Sequence, residues 1–379
     1  MIKLFEEFEP VKKSEWLQKA TDDMKGNDPF ELYVKSFGEG IKQMPYYDSS
    51  DKVASVSENI AALMHDRPYN RWYNTQEITI TEEKIANQLA LKALEAGATG
   101  LHFVNKLELP NLQTLLHNIK LPYIYTCFSG FNENIIRDYI QNEYNSEERQ
   151  DLVVGIADEA SSVHDFATTD RVNFPGEIRD FFLTLDDHNS DTFVKSIAEL
   201  MSRFVDFITK SDDENVQNLF DRVIIQNFCN HHYFFEIAKL RALRILFAEI
   251  GAYYNVDSPK VFIQSTTTKG DDHLDNLLTN TTQAMAAITG GTDAIIVTPH
   301  LGGTASGELS LKDLSFTQRI ARNVSNLIDE ESHFGKVLDP AAGSWYVTNL
   351  TQQIVDRAWQ KFTDMEELGG YAQKSQLLA

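Results

Sequence analysis

The chain has 379 residues, 42% of them apolar, and 34 basic side chains against 56 acidic ones leave a net charge of −22. That charge repels phosphate backbones and anionic lipid heads, and no basic run reverses it locally, so neither nucleic acid nor a membrane is an expected partner. No stretch of eighteen apolar residues occurs, the N-terminus MIKLFEEFEP is unlike a secretory signal, and only Cys127 and Cys229 are present, which together point to the reducing cytoplasm.

In chain order, residues 1–60 carry a helical pattern around Trp16 to Met24 and then Gly26, Gly38, Gly40 and Pro45, the composition of an extended arm. From residue 71 short runs rich in Val, Ile, Phe and Tyr alternate with longer helical patterns, as in parallel strands joined by crossover helices. The predicted strands are 71–78, 101–105, 123–128, 181–185, 223–228, 261–265 and 293–299, with the fourth of eight at either 151–156 or 166–174. Between them, Ile197, Leu200, Met201, Phe204, Val205 and Ile208 lay one apolar stripe along a helix. Residues 233–250 behave likewise and leave Glu236, Lys239 and Arg241 for a polar face. Eight strand–helix units without G-x-G-x-x-G after the first strand favour an α/β fold of the (β/α)8 TIM barrel type over an open doubly wound sheet. The barrel is expected over 61–349, and Leu350, Ile354, Val355, Ala358, Trp359 and Phe362 mark a last amphipathic helix within 350–379 that ends near Gly369 and Gly370.

A barrel of this kind places its active site at the C-terminal strand ends. There the sequence sets Asp186, Asp187 and His188, then His231 and His232, then residues 266–272 with His273, and finally His300. Converging histidines and aspartates suit a divalent metal, but no H-x-H or H-E-x-x-H spacing occurs, and solvated acidic loops look the same. The loops TTTKGDD, with Lys269 and Gly270, and LGGTASG read either as a phosphate cradle or as tight turns, with Asp271 and Asp272 opposing an anion. No nucleophile elbow is present.

Four blocks in the second half carry a resemblance: EIAKLRALRILFAEI, TQAMAAITGGTDAIIVTP, RIARNVSNLIDEESHFGKVLDPAAGSWYV and MEELGGYAQ. In this order they resemble the barrel domain of the cobalamin-dependent acyl-CoA mutases, nearest to the methylmalonyl-CoA mutases. WLQKATDDMKG and EGIKQMPYY are similar to the segment that precedes the family barrel. The resemblance implies a (β/α)8 barrel with acyl-CoA threaded along its axis, capped by a separate domain carrying adenosylcobalamin, whose radical drives a 1,2-rearrangement.

The cobalamin domain's D-x-H-x-x-G marker is missing. Residues 186–188 and 271–273 approach it, but positions 191 and 276 are Asp and Asn. Catalytic members place Tyr-His after the fifth strand, where this chain has Asp187 and His188. Their Arg-x-His and Gln-Thr-Ser-Gly after the seventh match Ile263, Ser265, Thr267, Thr268, Lys269 and Gly270, and their Phe-Asp-Glu after the eighth matches His300, Leu301 and Gly302. The vestigial-site candidates are therefore Asp187, His188, Thr268, Lys269, Gly270 and His300, with no catalytic residue. Losing the arginine and histidine removes the groups that grip an acyl-CoA. The resemblance implies a catalytically silent small subunit that binds no cofactor itself, and whose partner is a homologous large subunit carrying adenosylcobalamin in the complex. Its arm would wrap that partner, or drive homodimer formation in isolation.

Overall fold

The computed structural model describes residues 11–51, 70–157, 177–185, 193–211, 215–229, 231–257, 259, 261–301, 311–371 and 373. A sheet of parallel strands forms the centre: β3 (Tyr73–Ile80), β4 (Gly100–Asn105), β5 (Tyr125–Ser129), β6 (Val153–Ala157), β7 (Glu177–Arg179), β8 (Phe181–Leu185), β9 (Val223–Phe228), β10 (Phe262–Thr266) and β11 (Ala294–Ile296). Their order is β7-β6-β5-β4-β3-β11-β10-β9-β8.

β7 and β8 stand at opposite ends of that order, yet only Asp180 separates them in the chain. β7 pairs with β6 through Val153↔Glu177 and Gly155↔Arg179, and β8 pairs with β9 through Phe181↔Val223 to Leu185↔Asn227. Residues 177–185 thus serve as one strand with two neighbours, and the ring closes as an eight-stranded TIM barrel. Asp180 is fixed at the changeover by Arg137 Nη2 and Arg222 Nε, each 2.7 Å from its carboxylate. The fifth strand therefore begins four residues before the predicted 181–185, and the fourth is 153–157; the alternative 166–174 lies outside the described residues.

Alternation divides each strand between two environments. Outward residues of β3 to β6, including Ile78, Leu101, Phe103, Phe128 and Val154, pack against α3 (Glu83–Glu95), α4 (Leu112–Leu115) and α5 (Glu133–Glu143). Those of β8 to β11, including Leu183, Ile225, Ile263 and Ile295, join the larger core with α6 (Phe193–Lys210), α8 (Tyr233–Tyr253), α9 (His273–Thr289) and α11 (Trp345–Glu367). The short α7 (Val216–Asp221) precedes β9, and α10 (Leu311–Glu330) follows β11.

The polar face expected on α8 does not exist. α11 packs over α8 and α6 as an extra layer, so Glu236 and Lys239 are 0% exposed and Arg241 is 1% exposed. Charges so placed must be paired. Lys239 Nζ lies 2.9 Å from Glu236, which also accepts from Asn227 Nδ2 of β9 at 2.8 Å. Arg241 meets Asp339 at 2.6 Å, and Arg244 meets Asp293 at 2.8 Å while donating to the Gly291 carbonyl. One helix thereby fastens the upper part of β9, the lower ends of β10 and β11, and the segment leading into α11. Ser344 caps α11, so the boundary expected at 350 cuts through this helix.

The N-terminal residues divide into two parts. α1 (Lys13–Asp23) and α2 (Pro29–Tyr33) carry Trp16, which stacks on Tyr46 at 4.6 Å. The hairpin of β1 (Lys35–Phe37) and β2 (Ile41–Gln43) belongs to the barrel's own outer layer: Ile41 is fully buried, and the Lys42 backbone exchanges two hydrogen bonds of 2.9 Å with the side-chain amide of Gln353 on α11, its N–H donating to Oε1 and its carbonyl accepting from Nε2. Glu39, held at φ 62° in the hairpin turn, accepts from the amides of Val194 and Lys195 at the start of α6 and pairs with Lys361 at 3.0 Å. A carboxylate there satisfies amides that the helix cannot. The expected free arm is thus reduced to the segment before residue 35.

Replacing Lys239 by Met strands the Glu236 carboxylate in the core. The expected cost is about 3–5 kcal/mol, measured as a lowered midpoint in urea unfolding with an unchanged slope.

Candidate site at the mouth of the barrel

Inward-facing residues build the barrel interior in layers. The lower layer is apolar and aromatic: Tyr73, Tyr125, Val153, Phe182, Ile224, Phe262 and Ala294 form one cluster. Ring centroids are 5.5 Å apart for Tyr73 and Tyr125 and 4.9 Å for Tyr125 and Phe262, and the Arg179 guanidinium lies 5.4 Å over Phe262. The Tyr125 hydroxyl donates to Gln264 Oε1 across the interior at 2.7 Å. At Gly155 even a methyl group would meet Ile224 Cδ1 at 2.8 Å. The barrel axis is packed shut at this level.

Above the plug the interior opens. Glu77 and Thr79 of β3 and Thr184 of β8 alternate inward yet are exposed, so solvent enters from the C-terminal mouth. Strand register sets Glu77, His102 and Cys127 side by side, with Ser129 one step higher. His102 is 5% exposed. Its Nε2 is 2.7 Å from Ser129 Oγ, and its Nδ1 faces Glu77 Oε2 at 3.7 Å with no closer partner among the described residues. Burial pushes the imidazole pKa down to about 4 and the Cys127 thiol up to about 12. Desolvation also raises the Glu77 carboxyl, against the opposing field of Lys269. The result is a neutral imidazole between a hydroxyl and a carboxylate at an open mouth.

These three residues were not among the sequence candidates, because each comes from a different strand and no local spacing joins them. The only trace is a polar residue at every second position of NTQEITI and a histidine inside the apolar run LHFVN.

Of the predicted residues, Asp187 and His188 lie outside the described residues. Thr268 and Gly270 make no phosphate cradle: the Thr268 amide donates to Gln283 Oε1 and the Gly270 amide to Asn276 Oδ1, both at 2.8 Å. Lys269 is exposed on the same loop. His300 is buried, its Nδ1 has no hydrogen-bond partner among the described residues, and desolvation, His273 and Lys269 together lower its pKa. His231 lies 3.4 Å from Gln283, and His232 packs edge-on against Phe37. Among the described residues no three His, Cys, Asp or Glu side chains gather as a metal site. Ile263 and Ser265, matched to the family's Arg-x-His, face the helices: Ile263 belongs to the outer core, and Ser265 Oγ receives Asn227 Nδ2 at 3.1 Å. The inward positions of β10 are Phe262, Gln264 and Thr266. The near-match at 271–273 serves the helix instead: Asp272 caps α9 through the amides of Leu274 and Asp275, and His273 is the first residue of that helix.

The His102 imidazole is expected to stay neutral on acidification until the pH approaches 4, as read by the Cε1–H chemical shift. The unfolded chain takes up this proton near 6.5 and the folded chain only near 4. Stability should therefore fall between those values by about 3 kcal/mol, with no further loss from this group below them.

Residues 209–376 match the sequence pattern of the family described as methylmalonyl-CoA mutase. The small subunit of methylmalonyl-CoA mutase from Porphyromonas gingivalis is 29% identical over 99% of this chain and 66% of its own length. That from Propionibacterium freudenreichii subsp. shermanii is 35% identical over 40% of this chain and 24% of its own. The large subunit of the Porphyromonas enzyme is 35% identical over 37% of this chain and 20% of its own. The chain thus spans just under two thirds of the first of these relatives and a quarter or less of the other two. The closed parallel barrel and a family pattern running from the end of α6 through α11 make the chain similar to the methylmalonyl-CoA mutases over its second half.

Proposed function

We propose that this chain is a mutase subunit that is silent in the rearrangement itself and serves to assemble and stabilise a homologous catalytic subunit in the cytoplasm. The observation that carries this reading is the plug of Tyr73, Tyr125, Ile224 and Phe262, which occupies the axis along which the family barrel threads its acyl-CoA. Opening that passage would mean removing the buried rings of Tyr125 and Phe262, each worth roughly 3–5 kcal/mol of packing. Adenosylcobalamin, which supplies radical chemistry in the family, would belong to the large subunit. Relatives named small subunit on one side and large subunit on the other support a heterodimer of the two kinds of chain. In that complex methylmalonyl-CoA and succinyl-CoA would interconvert on the partner.

The segment ahead of the hairpin would supply a contact surface, with Val11, Leu32 and Tyr33 each more than half exposed. Three side chains of this kind, buried at ~1.5–3 kcal/mol apiece, strengthen an interface appreciably. Removing residues 1–34 should leave the melting temperature nearly unchanged and abolish co-purification with a large subunit. Removing 1–51 takes Ile41 and Glu39 as well and should destabilise the barrel itself. The purified chain supplied with adenosylcobalamin should show no mutase turnover; turnover would refute the silent role, and a 1–34 deletion that still co-purifies would refute the role of the segment.

A further inference from the structure

Glu77, His102 and Ser129 are neither required by an assembly role nor matched to any element of the family's catalytic pattern. A histidine buried to 95% at an otherwise wetted mouth, with one ring nitrogen on a hydroxyl and the other facing a carboxylate, calls for a chemical explanation. We propose that Ser129 is an acyl-accepting nucleophile, activated by His102 and oriented through Glu77, and that the barrel mouth hydrolyses small acyl esters or thioesters independently of any mutase reaction.

The geometry supports each role. In the tautomer with its proton on Nδ1, His102 offers Nε2 as acceptor to the Ser129 hydroxyl 2.7 Å away and turns Nδ1–H toward Glu77 Oε2. The 3.7 Å gap to Glu77 is of the loose kind that tightens on substrate binding. Ser129 ends β5 and is partly exposed, so a substrate carbonyl arriving from solvent reaches it without passing the aromatic plug. That plug also limits depth, which restricts the acyl group to a short one.

The chemistry balances with water as the only co-reactant. Ser129 Oγ bonds to the carbonyl carbon as its proton passes to His102 Nε2, and His102 returns the proton to the departing alcohol or thiol as the acyl bond breaks. Water then attacks the acyl-serine, giving up a proton to His102, and the carboxylic acid leaves as Ser129 regains its hydrogen. The Gly130 amide is committed to the Ala157 carbonyl, so oxyanion stabilisation is weak and the reaction slow.

The test is to treat the full-length chain with an alkyl fluorophosphonate and map adducts by tandem mass spectrometry. Attack by Ser129 forms an O–P bond, breaks the P–F bond and releases fluoride, the proton leaving through His102. One equivalent on Ser129 is expected, formed at least ~100-fold faster than on the exposed Ser36 of the same molecule. Ser129→Ala should lose the adduct together with p-nitrophenyl acetate hydrolysis. His102→Gln should slow labelling by about 100-fold, and Glu77→Gln should slow it less. No adduct on Ser129 of the folded wild-type chain, a rate equal to that of Ser36, or labelling unaffected by His102→Gln in a folded variant would each overturn the assignment. Because the readout is a covalent adduct on this chain alone, it succeeds or fails independently of assembly with a partner.

Discussion

Closing eight parallel strands into a ring creates an interior that must be either packed or wetted, and here the closure depends on one strand paired with two neighbours. Residues 177–179 hold β6, residues 181–185 hold β9, and Asp180 between them is pinned by Arg137 and Arg222. Once the ring is shut, the alternation of side chains decides the rest. The lower interior receives tyrosines, phenylalanines and an isoleucine and becomes core. Its upper interior receives Glu77, His102, Ser129, Thr79 and Thr184 and stays open to water.

Outside the ring the dominant constraint is burial of charge. α8 is covered on one side by the barrel wall and on the other by α11, and its Glu236, Lys239, Arg241 and Arg244 are all paired. Such pairs add little net stability over an apolar core, yet breaking one is expensive. They therefore fix where α8 sits more than how strongly it holds. The hairpin at residues 35–43 finishes this layer, with Glu39 capping α6 and Gln353 of α11 extending the pairing of Lys42.

Sequence patterns disclosed the barrel because each strand carries a short apolar run with turn residues on either side. Strand 223–228 was legible to the residue, whereas the fifth strand, read from 181, begins at 177. What the patterns could not disclose depends on layers and registers. The period of α8 contains no sign that α11 will cover its charges. A stretch such as VFIQST can be matched to a motif in either parity, and the chosen match put Ile263 and Ser265 on the outer face while Gln264 and Thr266 point inward. His102 meets Ser129 and Glu77 only through the pairing of three strands, a relation that no linear spacing encodes. The resemblance to the mutases, in turn, rested on the second half of the chain, where α8 to α11 lie.

Similarity to the methylmalonyl-CoA mutases and a barrel closed along its axis pull in different directions, and the conflict resolves if, as proposed, this chain keeps the scaffold while a partner keeps the chemistry. The aromatic plug is what the proposed silence rests on, because it fills the axis that the resemblance assigns to an acyl-CoA. Titration calorimetry of the purified chain with coenzyme A tests this most directly. The account predicts no binding tighter than the millimolar range, about −4 kcal/mol, whereas a dissociation constant in the micromolar range would contradict it.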